Sequence, residues 1–361
     1  MKIALVHDWI TSFGGAEKVL LKLHEIFPEA PIYTLVYNKK QMEKHFKGID
    51  IRTSFIQKMP LGVKHYKCYL PLMPLAIEQF DLSEYDVVIS SSWCVAKGVN
   101  VKADTKHICY CHTPMRYAWD LYHEYNKGNI IKKAFVAKIM HKLRMWDCLS
   151  ANRVDYFIAN SKNVANRINK HYRREAEVIY PPIDNFFYEE RKEKNSENGY
   201  YLLITRLVSY KKADLIVETF SELGLPLVVI GKGPEKEKIL KLAKQNIVFK
   251  QDLTDEEVKE HYDNCKAFIF MAEEDFGMVM AEAAACGKPI IAYCKGGAAE
   301  IVDEKTGVLV KRQTKEALKE AVLKMENEYK SFNTEKIKKK AEQFNEQFFI
   351  KNIKKVVEEG K

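Results

Sequence analysis

Two carboxylates, two cations, one histidine and a pair of glycines are the residues whose types and spacing could do chemistry in this chain. Glu274 and Glu282 lie in the run Glu273-Glu274-Asp275-Phe276-Gly277-Met278-Val279-Met280-Ala281-Glu282, shortly before Cys286-Gly287-Lys288-Pro289. Residues 267–271 read as a short buried strand, and 290–293 as another. Between them, 278–286 is rich in helix formers and stops at Gly287 and Pro289. The pattern is strand, acidic glycine-bearing loop, helix, strand: one βαβ unit of a parallel sheet. A helix N-terminus offers unpaired N–H groups and a partial positive charge, which together attract an anion. Carboxylates beside an anion site suit a ligand with a phosphate for the N–H groups and hydroxyls for the carboxylates, such as a nucleotide sugar. The plainer reading of the same residues is a buried acidic pair at a βα turn.

Three further places carry chemistry-bearing residues at strand ends. Arg206 and Lys211 follow the strand 200–204. Two fixed cations at that spacing can clamp a pyrophosphate; a surface pair is the alternative. Gly14 and Gly15 stand between a first strand, 3–6, and an apolar-periodic helix (Val19, Leu20, Leu23, Ile26). Paired glycines let the backbone approach a ligand closely, though turn geometry alone also explains them. His112 closes the run His107-Ile108-Cys109-Tyr110-Cys111-His112 before Thr113-Pro114. Strand alternation puts 107, 109 and 111 on one face and 108, 110 and 112 on the other, so His112 points away from both thiols. No Cys/His metal cluster is expected, and Cys109 and Cys111 read as small core residues. His112 sits at the C-terminal edge of its strand, where parallel sheets bind ligands; orienting the turn is its plainer role.

These loops need two α/β domains to hold them, and 361 residues suit two. Further strands are read at 86–90, 154–160, 227–230 and 247–249. Ser161 and Thr254 are placed to cap the helices that follow them. Pro181-Pro182 ends the first half, and the charged stretch 189–199 reads as a linker. Gly231-Lys232-Gly233 follows a strand but lacks the third glycine of a dinucleotide fingerprint, so no NAD is expected. The tail from 314 to 357 reads as helical, with Phe344, Phe348, Phe349 and Ile353 as an apolar stripe.

Composition narrows the class. No segment has the roughly 18 uninterrupted apolar residues of a membrane-spanning helix. The N-terminal apolar run is short, ends in charge and reads as a strand rather than a signal peptide. Eight scattered cysteines suggest reduced thiols and a cytoplasmic location. The net charge is +9, all of it in the first half: residues 1–185 hold 27 Lys and Arg against 18 Asp and Glu, and the remainder holds 31 of each. Residues 58–80 mix Lys, Tyr, Leu and Pro. Residues 127–146 set Lys127, Lys132, Lys133, Lys138, Lys142 and Arg144 beside Ile130, Ile131, Phe135, Ile139, Met140, Leu143 and Trp146. Such a basic amphipathic helix suits an anionic membrane surface, and equally a surface helix with a solvated lysine face.

Taken in order, these motifs resemble the large family of retaining, nucleotide-sugar-dependent glycosyltransferases of the GT-B fold (group 1, family 4 type). Within it the chain most resembles bacterial mannosyltransferases of surface-polysaccharide and glycolipid assembly. The signature is Glu274-x7-Glu282 around Phe-Gly-Met-Val, with His112-Thr113-Pro114-Met115-Arg116-Tyr117-Ala118-Trp119-Asp120 and Gly296-Gly297-Ala298-Ala299-Glu300 as further matches. The resemblance implies two Rossmann-like doubly wound domains facing across a cleft. It gives 1–185 as the acceptor domain, 186–340 as the nucleotide-sugar domain, and 341–361 as a helix returning to the first domain. It implies His112 against the transferred sugar and Glu274 on that sugar's hydroxyls as catalytic residues. It places Glu282 on the ribose, Arg206 and Lys211 on the diphosphate, and Phe276, Gly277, Met278 and Val279 at the sugar and phosphate. Gly14 and Gly15 fall near the donor phosphates and the acceptor. Lys212 departs from the pattern, since the family usually has Gly there. No metal and no cofactor are expected, the two side-chain cations taking the place of a metal-binding carboxylate pair. GDP-mannose is the favoured donor, with UDP-hexoses open, and the acceptor is a lipid-linked or other glycan. The basic stretches then suggest peripheral attachment at the inner face of the cytoplasmic membrane. An epimerase or phosphorylase on the same architecture is less well matched. From another class, a basic nucleic-acid-binding protein without catalysis lacks any recognition or stacking motif, so no nucleic acid is expected.

Overall fold

The computed structural model describes residues 1–126, 128–189 and 199–359. Most of the 189–199 stretch read as a linker therefore lies outside the described residues, as does Lys127. The chain forms two units: Met1–Tyr180 with Ile350–Lys361, and Pro181–Phe349.

The first unit holds a parallel sheet of seven strands: β1 (Ile3–His7), β2 (Ile32–Thr34), β3 (Ile51–Thr53), β4 (Val87–Ser92), β5 (Lys106–Cys111), β6 (Tyr156–Ala159) and β7 (Glu177–Val178). Their spatial order is β3-β2-β1-β4-β5-β6-β7. The order reverses direction between β1 and β4, which is the switch point where α/β sheets bind ligands. The centre of the sheet is buried throughout, so it reads as aliphatic runs rather than alternation. Cys109 and Cys111 pack with Ala151, Val154, Phe157 and Tyr172, as small core residues do. β2 and β3 escape a pattern-based reading because three residues are too few to show a period.

The second unit repeats the plan with six strands: β8 (Tyr201–Ile204), β9 (Leu227–Ile230), β10 (Ile247–Lys250), β11 (Ala267–Phe270), β12 (Ile290–Tyr293) and β13 (Gly307–Val310). The order is β10-β9-β8-β11-β12-β13, so its switch point lies between β8 and β11. Ser161 caps the Lys162–Tyr172 helix, and Thr254 and Glu257 form a capping box on Asp255–Asn264.

The tail is helical, in three α-helices: Lys315–Glu328, Thr334–Ala341 and Glu346–Glu359. Asn333 caps the second, which is why the helix restarts there. Phe344, Phe349 and Ile353 are buried as the stripe requires, but Phe348 is 51% exposed and does not belong to it. Beyond Ile350 the last helix belongs with the first unit, where Lys106 Nζ donates to the carbonyls of Val356 and Val357.

Among the described residues no helix is long and apolar enough to cross a membrane. The basic segment forms the helix Ile130–Ala151, started by Asn129, whose side chain accepts from Lys132 N–H at 2.9 Å. Its two halves differ. Met140 and Leu143 are buried and Ile139 and Trp146 pack on the core, whereas Ile130, Ile131 and Phe135 are 85%, 82% and 65% exposed.

Candidate active site

The second unit brings together the loops that leave β8 and β11 on either side of its switch point. After β8 the chain passes Arg206, makes a short 3-10 turn over Ser209–Lys211, and enters the helix Ala213–Leu223. After β11 it carries Glu273-Glu274-Asp275 and enters the helix Met278–Ala285. Lys211 Nζ and the Glu274 carboxylate form a close ion pair, with side chains only 13% and 20% exposed. The ammonium also lies over the rings of Tyr210 and Phe270, 5.3 and 5.5 Å from their centroids. Such packing holds a lysine in one place, where free lysines sample many rotamers. Arg206, on the same loop, is exposed and makes no ion pair among the described residues.

Backbone geometry explains the glycines of the second loop. Gly277, the N-cap of Met278–Ala285, has φ +103°, which side-chain-bearing residues rarely adopt. A Cβ there would also stand 2.2 Å from Met280 Cε. Gly296 pairs as a parallel bridge with Glu274, and a Cβ on it would meet the Glu274 carbonyl oxygen at 2.1 Å. Gly297 N–H donates to that same carbonyl at 2.9 Å. The Gly-Gly pair of the 296–300 motif thus fixes the backbone that presents Glu274.

Glu282 is buried on the Met278–Ala285 helix. Tyr262 Oη lies 3.1 Å from Glu282 Oε2 and 3.0 Å from the Val279 carbonyl, and its single proton serves either. Burial, and then the Glu282 carboxylate, push the Tyr262 phenol well above its usual range, so it stays a donor. Met278 and Val279 are half-buried in the helix's first turn. The Phe276 ring instead turns into the core, packing edge-on against Phe344 at 5.3 Å, so only its backbone is left for a ligand.

In the first unit the strands flanking the switch point end in polar residues. His112 follows β5; its Nε2 is 2.8 Å from Ser91 Oγ, at the end of β4, and its carbonyl accepts from Asn160 Nδ2 at 3.0 Å. Burial, then the neighbouring His7, push the His112 imidazole down to about 3, so it is neutral at physiological pH. Asp8, just past β1, accepts from the N–H groups of Trp93, Cys94, Val95 and Ala96 at 2.6–2.9 Å. Burial raises its pKa and these bonds oppose that. The 112–120 segment is tied down further along: Trp119 Nε1 donates to Asp147 Oδ2 at 2.8 Å, and Arg167 Nε is 3.4 Å from Asp120 Oδ2. Gly14 caps the Gly15–Ile26 helix, and Gly15 is exposed there.

Sequence reasoning missed four of these groups: Asp8, Ser91, Tyr262 and the buried ion pair of Lys97 with Asp147. Asp8 and Ser91 carried a faint signal, as polar residues closing strands. Lys97, Asp147 and Tyr262 carried none, because a lysine, an aspartate or a tyrosine in a helical stretch reads as surface. Among the described residues no group of three or more His, Cys, Asp or Glu is placed to hold a metal ion.

Comparison with known proteins agrees with this layout. The description "Glycosyltransferase Family 4" matches residues 13–185, and "Glycosyl transferases group 1" matches residues 184–347. An uncharacterised glycosyltransferase of Methanocaldococcus jannaschii, MJ1178, is 27% identical over 239 residues, 63% of this chain and 66% of that protein. A GDP-mannose-dependent alpha-(1-6)-phosphatidylinositol monomannoside mannosyltransferase of Mycolicibacterium smegmatis is 30% identical over 138 residues, 33% of this chain and 36% of that protein. Each match thus spans less than two thirds of the relative's length. Crystal structures of Anabaena Alr3699/HepE with UDP and with UDP-glucose share the fold over 99% of both chains, with TM-scores of 0.73 and 0.72 at 18% and 17% identity. Two parallel sheets with reversed strand order, the Glu274 loop between β11 and its helix, and two adjoining family matches lead to one conclusion: this chain belongs to the group 1, family 4 glycosyltransferases of the GT-B fold.

Proposed function

We infer that this protein transfers a hexose from a nucleotide sugar, best GDP-mannose, to a hydroxyl of a lipid-linked or polysaccharide acceptor, with retention at the anomeric carbon. The Lys211–Glu274 pair carries the reading, because it sets a cation and a hydroxyl acceptor side by side at a switch point and a helix N-terminus. In this reading Arg206 and Lys211 neutralise the diphosphate, where negative charge grows as the bond to the sugar breaks. The N–H groups of Gly277, Met278 and Val279 add to that, and Glu274 holds sugar hydroxyls while Glu282 holds the ribose. In the first unit, His112 serves the transferred sugar, and Gly14 and Gly15 lie along the phosphates and the acceptor. The anomeric C–O bond to the β-phosphate breaks, the acceptor oxygen bonds to the same face of that carbon, and its proton passes to the leaving diphosphate. No divalent metal is invoked.

Thermal shift against nucleotides and nucleotide sugars tests the donor. A ligand at a hundred times its Kd adds about 2.7 kcal/mol of stability. GDP and GDP-mannose are expected to raise Tm by several degrees; stabilisation by no nucleotide would sink the reading. Selective stabilisation by UDP would favour the second reading, a UDP-hexose donor, for which the UDP-bound structures of the same fold speak. Glu274→Ala is expected to lower kcat/KM by at least about a hundredfold, since it removes a group that meets the sugar as charge develops. Transfer by that variant at the wild-type rate would remove Glu274 from the mechanism.

The exposed half of the Ile130–Ala151 helix supplies the acceptor side of the proposal. Ile130, Ile131 and Phe135 beside Lys132, Lys133 and Lys138 match an anionic bilayer, where the apolar side chains enter the interface and the lysines meet headgroups. Leu61, Leu72 and Leu75, also exposed, extend the apolar surface of the 58–80 stretch. These exposed residues support a reading in which the enzyme works at the cytoplasmic membrane surface, where a lipid-linked glycan would be met.

A further inference from the structure

The surroundings of His112 contain three residues that the proposed reaction does not use. Ser91 Oγ stands between two imidazoles, 2.8 Å from His112 Nε2 and 3.1 Å from His7 Nδ1. All three side chains are buried. The far nitrogen of His7, Nε2, is buried without a hydrogen-bond partner among the described residues, and Glu17 Oε1 lies 3.9 Å from it. Glu17 is itself buried, in the first turn of the Gly15–Ile26 helix, where the helix end favours negative charge. A Cβ on Gly14 would stand 3.2 Å from the other carboxylate oxygen, so the glycine loop closes directly over Glu17. Asp8, the other acidic group near His7, is taken up by its four backbone N–H bonds.

With both rings neutral, as at the pH 8 of the test below, counting protons leaves two ways to make both serine bonds, because a hydroxyl has one proton. In the first, His112 Nε2–H donates to Ser91, Ser91 donates to His7 Nδ1, and His7 Nε2–H faces Glu17. In the second every arrow is reversed, and a bare lone pair on His7 Nε2 faces the carboxylate. Were Ser91 to accept from both rings, its own proton would be stranded, since it has no third partner among the described residues. A buried carboxylate attracts an N–H and repels a lone pair, and burial strengthens that preference. The first arrangement therefore holds.

We propose that Glu17, acting through His7 and Ser91, sets the tautomer of His112, keeping its proton on Nε2 and leaving Nδ1 as a hydrogen-bond acceptor. Glu17, His7 and Ser91 are positioning residues in this scheme. It rests on the reading that His112 meets the transferred sugar. There His112 accepts a hydrogen bond from a sugar hydroxyl and does not donate one. Orienting partners of this kind fix which ring nitrogen of a histidine is free, and their loss costs rate more than binding.

The test reads the tautomer directly. Protein labelled with 15N-histidine is studied without ligand at pH 8 by long-range 1H–15N correlation, with His112→Gln identifying the His112 signals. Wild type is expected to show a protonated Nε2 and an unprotonated Nδ1. Glu17→Gln and Ser91→Ala are expected to shift the populations at least severalfold toward the other tautomer, while Ser91→Thr, which keeps the hydroxyl, restores the first. In transfer assays Glu17→Gln is expected to lower kcat about tenfold or more with donor KM little changed. Circular dichroism checks folding; if Glu17→Gln does not fold, Ser91→Ala and Ser91→Thr decide. A proton on His112 Nδ1 in wild type, or a tautomer indifferent to both Glu17→Gln and Ser91→Ala, overturns the proposal. Because the spectra need no substrate, the expected tautomer in a protein that transfers no sugar would refute the transferase reading alone.

Discussion

Lys212 has φ +55° and ψ +29°, a left-handed conformation directly before the Ala213–Leu223 helix. A side chain there costs about 1–2 kcal/mol, which is a physical reason for the glycine that the family resemblance leads one to expect at this place. Lys212→Gly is therefore expected to stabilise the fold by roughly 1 kcal/mol net of the extra glycine entropy, raising Tm by about 2–4 °C. Nucleotide affinity measured on the same variant separates strain from function: a weaker nucleotide would show that the lysine was kept for phosphate. Lys97 and Asp147 are the opposite case, a charged pair with almost no exposure. Burial alone would lower the Lys97 pKa, but Asp147 outweighs it and the net shift is upward. Trp119 Nε1 and Tyr172 Oη complete the shell of the carboxylate. Lys97→Met strands that carboxylate and is expected to cost about 3–5 kcal/mol in urea denaturation. Lys97→Met with Asp147→Leu should lie much closer to wild type, because no buried charge is then left alone.

At the scale of elements, the Ile130–Ala151 helix joins two environments. One face of its C-terminal half is part of the core, with Met145 and Leu149 exposed on the other, and through Asp147 and Trp119 that half anchors the 112–120 segment. Its N-terminal half offers apolar side chains to solvent, which a helix serving only to pack would not do. Each such side chain contributes about 1.5–3 kcal/mol if fully buried, and each lysine near an anionic surface about 1 kcal/mol. Ile131→Glu with Phe135→Glu is expected to abolish cosedimentation with phosphatidylglycerol vesicles while leaving Tm and nucleotide binding unchanged. Equal pelleting of variant and wild type would take the membrane out of the proposal.

At the scale of the molecule, two buried neutral histidines predict how the fold responds to acid. Burial pushes His107 down to about 4 and His112 to about 3, against 6.5 for the unfolded chain. As pH falls through 6.5 the unfolded state takes up protons that the folded state refuses, so the stability present above 6.5 is lost down to those values. The slope is at most about 1.4 kcal/mol per pH unit for each histidine. Tm should fall between pH 7 and 5, and His107→Asn should flatten that fall; a level profile in wild type would contradict the burial of both rings. The same scale shows why the fold was easier to read than the site. Strand runs such as 267–271, caps such as Thr254 and the Gly287–Pro289 stop act over a few residues, so the sequence displays them. Strands of three residues and the breaks around Asn333 and Asn345 lie below what periodicity resolves.

What the sequence alone determined is the repeated strand–loop–helix plan and the placing of Arg206, Lys211, His112 and Glu274 at strand ends, because hydrophobic period and capping are local. Only the tertiary structure decided that Lys211 meets Glu274, that Phe276 turns inward, and that Ser91 joins two histidines, one of them 84 residues away. Those facts depend on the order in which strands lie side by side. Strand order is settled by the packing of the whole sheet, and no single stretch of chain records it.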